Sequence, residues 1–98
     1  MKTLDTLFKQ NGFTLKQRVR DGNFAIYERV KGEIPAHFEV VRIKRHNGYT
    51  ISGNSFPPAE YYPSASQWGT DGFTLHDFDS AMEKLASLKD GFALEDAK

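Results

Sequence analysis

The sequence predicts an α+β domain, an antiparallel sheet with a helix packed against it. Three observations carry this. Residues 13–31 hold two alternating apolar and polar runs separated by Asp21-Gly22, the pattern of a half-buried hairpin. Asn47-Gly48 marks a second two-residue turn between β-rich runs. Phe78, Ala81, Met82, Leu85 and Leu88 recur at helical spacing near the C-terminus, which makes one apolar stripe.

The elements follow in order. Thr3 is placed to cap a short N-terminal helix, with Leu4, Leu7 and Phe8 at i, i+3 and i+4 and Asn11-Gly12 as its left-handed stop. The strand over 13–19 turns Phe13, Leu15 and Val19 to one face; Lys16, Arg18 and Arg20 take the other. Residues 24–31 return with Phe24, Ile26 and Val30 on one face and Tyr27, Arg29 and Lys31 on the other. Residues 31–36 read as a looser connection. Residues 37–45, HFEVVRIKR, alternate poorly, as suits a central strand covered on both faces. Residues 49–53 complete a four-stranded meander. A long loop over 54–72 follows, with Pro57, Pro58 and Pro63 and at most a short edge strand at AEYY. Asp77 caps the last helix, Asp79 suits its positive end, and Gly91 closes it. Residues 92–98 read as a frayed tail. In this arrangement the C-terminal helix covers one sheet face, the first helix sits at the edge, and the loop covers part of the rest.

The totals set bounds. A chain of 98 residues with 39% hydrophobic and 27% charged content is ordinary for one soluble globular domain. The absence of cysteine excludes disulfides and thiolate metal sites and fits a reducing compartment. No apolar run matches a signal peptide or a membrane span, so the expected location is the cytoplasm, with no membrane partner. The net charge is zero, yet residues 1–50 carry ten Lys and Arg against five Asp and Glu, and residues 51–98 carry three against eight. That asymmetry predicts either a nucleic-acid surface beside an acidic tail or two halves that attract each other.

Little in the sequence points to catalysis. His37, His46 and His76 lack zinc spacing, and the Asp77 and Asp79 beside His76 already serve a helix start. The serines stand outside any nucleophile-elbow pattern, and SGNSF lacks the Lys-Ser/Thr end of a phosphate loop. Glu28 and Glu39 lie mid-strand, where cross-strand pairing with Arg18, Arg29 or Arg42 is expected. The reading is a non-enzyme with no cofactor and no metal.

Two binding surfaces remain. The segment EYYPSASQWGTDGF concentrates aromatic residues on a Pro- and Gly-rich loop. Trp68 and Phe73 read as core anchors. Tyr61 and Tyr62 point in opposite directions, which exposes one of them. With Glu60 and Asp71, the residues Tyr61, Tyr62 and Trp68 form the expected protein-binding surface. The alternative is a basic sheet face of Lys16, Arg18, Arg20, Tyr27, Arg29, Lys31, Arg42 and Lys44, suited to phosphates and stacked bases. An uncovered sheet edge or face would favour a homodimer.

The residues Tyr27-Glu28-Arg29, the run HFEVVR, Glu60-Tyr61-Tyr62-Pro63, Trp68-Gly69 and Gly72-Phe73 together resemble small proteins of bacteriophages and other mobile elements. The resemblance covers roughly residues 25–88. Phe73 stands where that pattern has a second Trp, and Leu85 where it has an aromatic residue. The resemblance implies a phage- or prophage-borne gene, action in the host cytoplasm, and binding to a host protein, including components of bacterial defence systems. It assigns no catalytic residue.

Overall fold

Strand-forming residues dominate the first half of the chain, and from Leu7 to Arg42 they fold as one continuous meander. The computed structural model describes residues 1–96, with side chains through Gly91. Strands β1 (Leu7–Gln10), β2 (Phe13–Asp21), β3 (Phe24–Lys31) and β4 (Ile34–Arg42) are antiparallel neighbours in chain order. The chain then leaves the sheet. There β5 (Lys44–His46) pairs with β8 (Ala59–Tyr61), and β6 (Tyr49–Ile51) with β7 (Asn54–Phe56), as two separate ribbons. After a single 3-10 turn at Ala65–Gln67, β9 (Gly72–Leu75) joins the free edge of β4 as the fifth strand. Helix α1 (Phe78–Asp96) then packs across β3, β4 and β9.

The expected N-terminal helix does not form; its place is taken by β1. Asn11 (φ 55°) and Gly12 (φ 83°) are consecutive left-handed residues, the requirement of a type I′ hairpin turn. The same dipeptide suits a helix stop, so it does not choose between the two. Length decides, because so short a helix is not self-supporting, whereas β1 gains a full ladder from Leu7↔Lys16 to Gln10↔Phe13. Phe8 then points inward, and Leu7, read as part of the apolar stripe, is left exposed.

Two further expectations are corrected. The fourth strand at 49–53 is absent from the sheet: at Asn47-Gly48 only Gly48 is left-handed, and the tight turn falls at Ser52-Gly53 instead. The segment therefore folds on itself as β6 and β7, and residues 72–75 supply the strand beside β4. Gly91 also does not end α1, which continues through it in ordinary helical conformation to Asp96. The fraying expected after Gly91 falls on residues 92–98, whose side chains lie outside the described residues. The cap holds, since the Ser80 N–H donates to Asp77 Oδ1 at 2.7 Å. That hydrogen bond lowers the Asp77 carboxyl pKa.

The sheet is buried on both sides. Against α1 lie Phe24, Ile26 and Val40, joined by Ala81 and Leu85 of the helix. On the opposite face Leu15, Ala25, Tyr27, Val41 and Ile43 form a second core, closed by Leu4, Phe8, Tyr62 and Trp68. Val40 and Val41 are both fully buried although they point in opposite directions, which explains the poor alternation of β4. A bulge divides β2. Gln17 pairs with Tyr27 and Val19 with Ile26, leaving Arg18 as the inserted residue. Leu15 therefore packs in the second core and Val19 against the helix, not on one face as the alternation suggested.

Candidate protein-interaction surface

The chain from 43 to 72 divides into a part bound to the sheet and a part that stands away from it. Two carboxylates fix the bound part. Glu60, on β8, accepts hydrogen bonds from both terminal nitrogens of Arg20 at 2.7 Å, from Arg45 at 3.3 Å and from the Leu4 backbone N–H at 2.9 Å. Its side chain is only 5% exposed. The Arg20 hydrogen bonds are the main cause that holds its carboxyl at a pKa of about 2, assisted by the Leu4 N–H and by the charges of Arg20 and Arg45. Asp71 is the counterpart at the other end. It accepts Arg42 Nε at 2.8 Å and Nη2 at 2.6 Å on one oxygen and Lys44 Nζ at 3.3 Å on the other, while its backbone carbonyl accepts the Arg42 N–H at 2.8 Å.

Between these clamps the aromatic residues turn inward. Tyr62 packs edge-on to Phe8 and Tyr27, with ring centroids 5.3 Å away in each case. Its hydroxyl donates to Glu39 Oε1 at 2.6 Å. Burial, then the Glu39 charge, pushes the phenol pKa far up. Trp68 lies flat on the backbone at Gly72, where an added Cβ would stand 2.4 Å from the ring, and donates from Nε1 to Thr74 Oγ1 at 3.0 Å. Of the five residues expected to form a binding surface, Glu60, Tyr62, Trp68 and Asp71 thus hold the segment onto the sheet, and Tyr61 faces outward at 39% exposure.

Tyr61 is not alone there. Every residue of β6 and β7 is exposed, and the two strands pair only with each other. This arm carries Tyr49 stacked on Phe56 at 4.8 Å. His46 lies edge-on to Tyr49 at 4.9 Å and 5.9 Å from the Tyr61 ring. Tyr49, Ile51 and Phe56 are 46%, 58% and 43% exposed. Four rings in mutual contact, open to solvent, make the apolar patch that the sequence reading missed. Its only sequence signal is the pairing of Tyr49 with Phe56 across the Ser52-Gly53 turn.

The basic residues do not form the expected single face. Arg18, beside the bulge, lies over the Phe78 ring on the helix side, and Arg20 reaches Glu60 on the other side. Arg18 pairs with Glu28, Arg29 with Glu39, and Arg42 and Lys44 with Asp71. Tyr27 is fully buried, its hydroxyl donating to the Asp5 carbonyl and accepting from Gln17. Lys16 and Lys31 form no ion pair among the described residues. The charge asymmetry along the chain is therefore largely internal, with basic side chains of residues 20–45 held by Glu60 and Asp71.

His37 and His76 face each other at 5.3 Å. Among the described residues no three His, Asp or Glu side chains converge in the manner of a metal site, and no helix is long and apolar enough to cross a membrane. Comparison with known proteins yields no family model, no curated protein and no solved structure that matches this chain.

Proposed function

We propose that this protein acts by non-catalytic binding to another protein, with the aromatic arm as its contact surface. The observation that carries this reading is the four-ring cluster of His46, Tyr49, Phe56 and Tyr61, exposed on a two-stranded arm with no part in either core. A monomer gains nothing in its own folding from apolar rings held in water, and contiguous exposed apolar surface marks interaction sites. Tyrosine offers a large contact area at small entropic cost and is enriched among the residues that dominate interface energetics. The resemblance to proteins of phages and mobile elements adds a class of partner: a host protein in the cytoplasm, such as a component of a bacterial defence system. The nucleic-acid alternative loses its support, because most of its cations are already paired and its stacking residue Tyr27 is inside the core.

The test is capture from bacterial lysate by the tagged protein, with and without nuclease, beside a Tyr49→Ser/Phe56→Ser double variant. The reading expects a protein that survives nuclease and moderate salt and is lost with the double variant. Recovery of nucleic acid in a salt-sensitive manner, unchanged in the variant, would overturn it.

A further inference from the structure

A second recess lies away from the arm, where the β1–β2 turn meets the bound part of the loop. It is a cleft of about 340 Å³, with Tyr62, Ala65 and Trp68 on one side, Gln10 and Asn11 on the other, and Arg29 and Glu39 between them. It shares Gln10, Asn11, Arg29 and Glu39 with a smaller recess of about 100 Å³ reaching Phe13 and Leu15. The volume is at the lower end of small-molecule sites, which run from about 300 to 1,000 Å³.

The chemistry of the cleft rests on Arg29. Its guanidinium is fixed from one side by the Phe13 ring, 4.6 Å from its central carbon. A guanidinium carries five N–H donors, and Arg29 uses one, to Glu39 Oε2 at 3.3 Å. Its Nε is buried and has no hydrogen-bond partner. The contrast with Arg20 and Arg42 is direct, since both place Nε and the terminal nitrogens on defined acceptors. Glu39 does not balance the site alone, because one of its oxygens is occupied by the Tyr62 hydroxyl and Lys31 stands beside the turn with its Nζ 5.3 Å from the Phe13 ring centroid. The charged groups around the recess are therefore two cations and one carboxylate. An indole and a phenol wall such a site for a flat apolar body.

We infer that this cleft binds a small planar anion, of the aromatic carboxylate class, with its carboxylate on the free donors of Arg29 and its ring against Trp68. The inference stands apart from the aromatic arm, which contributes no residue to the cleft. Trp68 is the chain's one tryptophan, so its indole N–H gives a single assigned NMR signal at the site.

The experiment is a titration of the full chain with benzoate, benzamide and cyclohexanecarboxylate, following the Trp68 Nε1–H and Arg29 Nε–H resonances. The expected result is a saturable benzoate shift of both signals, with a dissociation constant on the order of 1 mM for so small a fragment. Benzamide and cyclohexanecarboxylate should each bind about tenfold or more weakly. Arg29→Gln should abolish the benzoate shift. Ala65→Phe, which fills the cleft from an exposed position and leaves the Arg29–Glu39 pair intact, should do the same, and it decides the matter where Arg29→Gln does not fold. Absence of a shift at both resonances would overturn the proposal, as would an equal response to benzamide or an unchanged benzoate response in Ala65→Phe.

Discussion

Residues 46–56 and residues 60–72 are both short, aromatic-rich stretches outside the helical and long-strand parts of the chain, yet one stands in solvent and the other closes a core. Hydrophobic content does not separate them. Tyr49, Ile51 and Phe56 are as apolar as Tyr62 and Trp68. Polar anchoring does. The 60–72 stretch begins and ends on carboxylates, Glu60 and Asp71, each held by two cationic side chains from residues 20–45. Between them Trp68 fits a site that only a glycine at 72 leaves open. The 46–56 stretch has no such anchor, and its one side-chain hydrogen bond is the local donation from Gly48 N–H to His46 Nδ1. Charge placement decides which aromatics become core and which stay available to a partner.

That contrast can be broken from the bound side. The largest effect is expected from Trp68→Ala or Tyr62→Ala, each costing about 3 kcal/mol, as for large buried aromatics that leave a cavity; urea denaturation measures it. Glu60→Gln should cost about 2 kcal/mol by removing charge-assisted hydrogen bonds to Arg20, Arg45 and Leu4. Gly72→Ala should cost a similar amount, about 2 kcal/mol, by forcing the indole off its seat.

Acid sharpens the role of Glu60. Its carboxyl is held at about 2, below the ordinary value of 4.5. The folded state thus favours the ionised form, and the resulting stability is fully present above pH 4.5 and is lost as pH falls toward 2. An acid titration of stability should show this loss in the wild type, and Glu60→Gln should lack that part of it.

The smallest effects belong to the arm. Tyr49→Ser and Phe56→Ser should each change stability by no more than about 0.5 kcal/mol, as exposed positions do, while partner capture disappears. A loss of several kcal/mol in the double variant would place the arm in the core and contradict its reading as a contact surface.

Much of this architecture is legible in the sequence, and the failures have identifiable causes. The helix after Asp77 and the β2–β3 hairpin around Asp21-Gly22 carry both periodicity and turn chemistry, and they form as expected. The cross-strand pairs Arg18–Glu28 and Arg29–Glu39 follow from strand alternation. Asn11-Gly12 misleads because a left-handed pair ends a helix and turns a hairpin equally well. Arg18 misleads because one inserted residue reverses which face Val19 takes. Glu60 and Asp71 look like exposed acids in a loop, since their cationic partners lie 15 to 40 residues away for Glu60 and 27 to 29 for Asp71, a separation that local patterning does not register. Of the expected contact residues only Tyr61 falls in the exposed cluster, because alternation along β8 predicts that Tyr61 and Tyr62 diverge without saying which one finds a core.

The most direct test of the division between anchored and free segments is native-state hydrogen exchange on the full chain. The Glu60 N–H, donated to Lys2, and the Arg42 N–H, donated to Asp71, should exchange only with opening of the core. The amides of β6 and β7 should exchange far faster, and Glu60→Gln should selectively release the Glu60 amide. Equal protection of the arm and the bound segment, or protection at Glu60 that survives Glu60→Gln, would contradict the claim that the carboxylate clamps set the two regions apart.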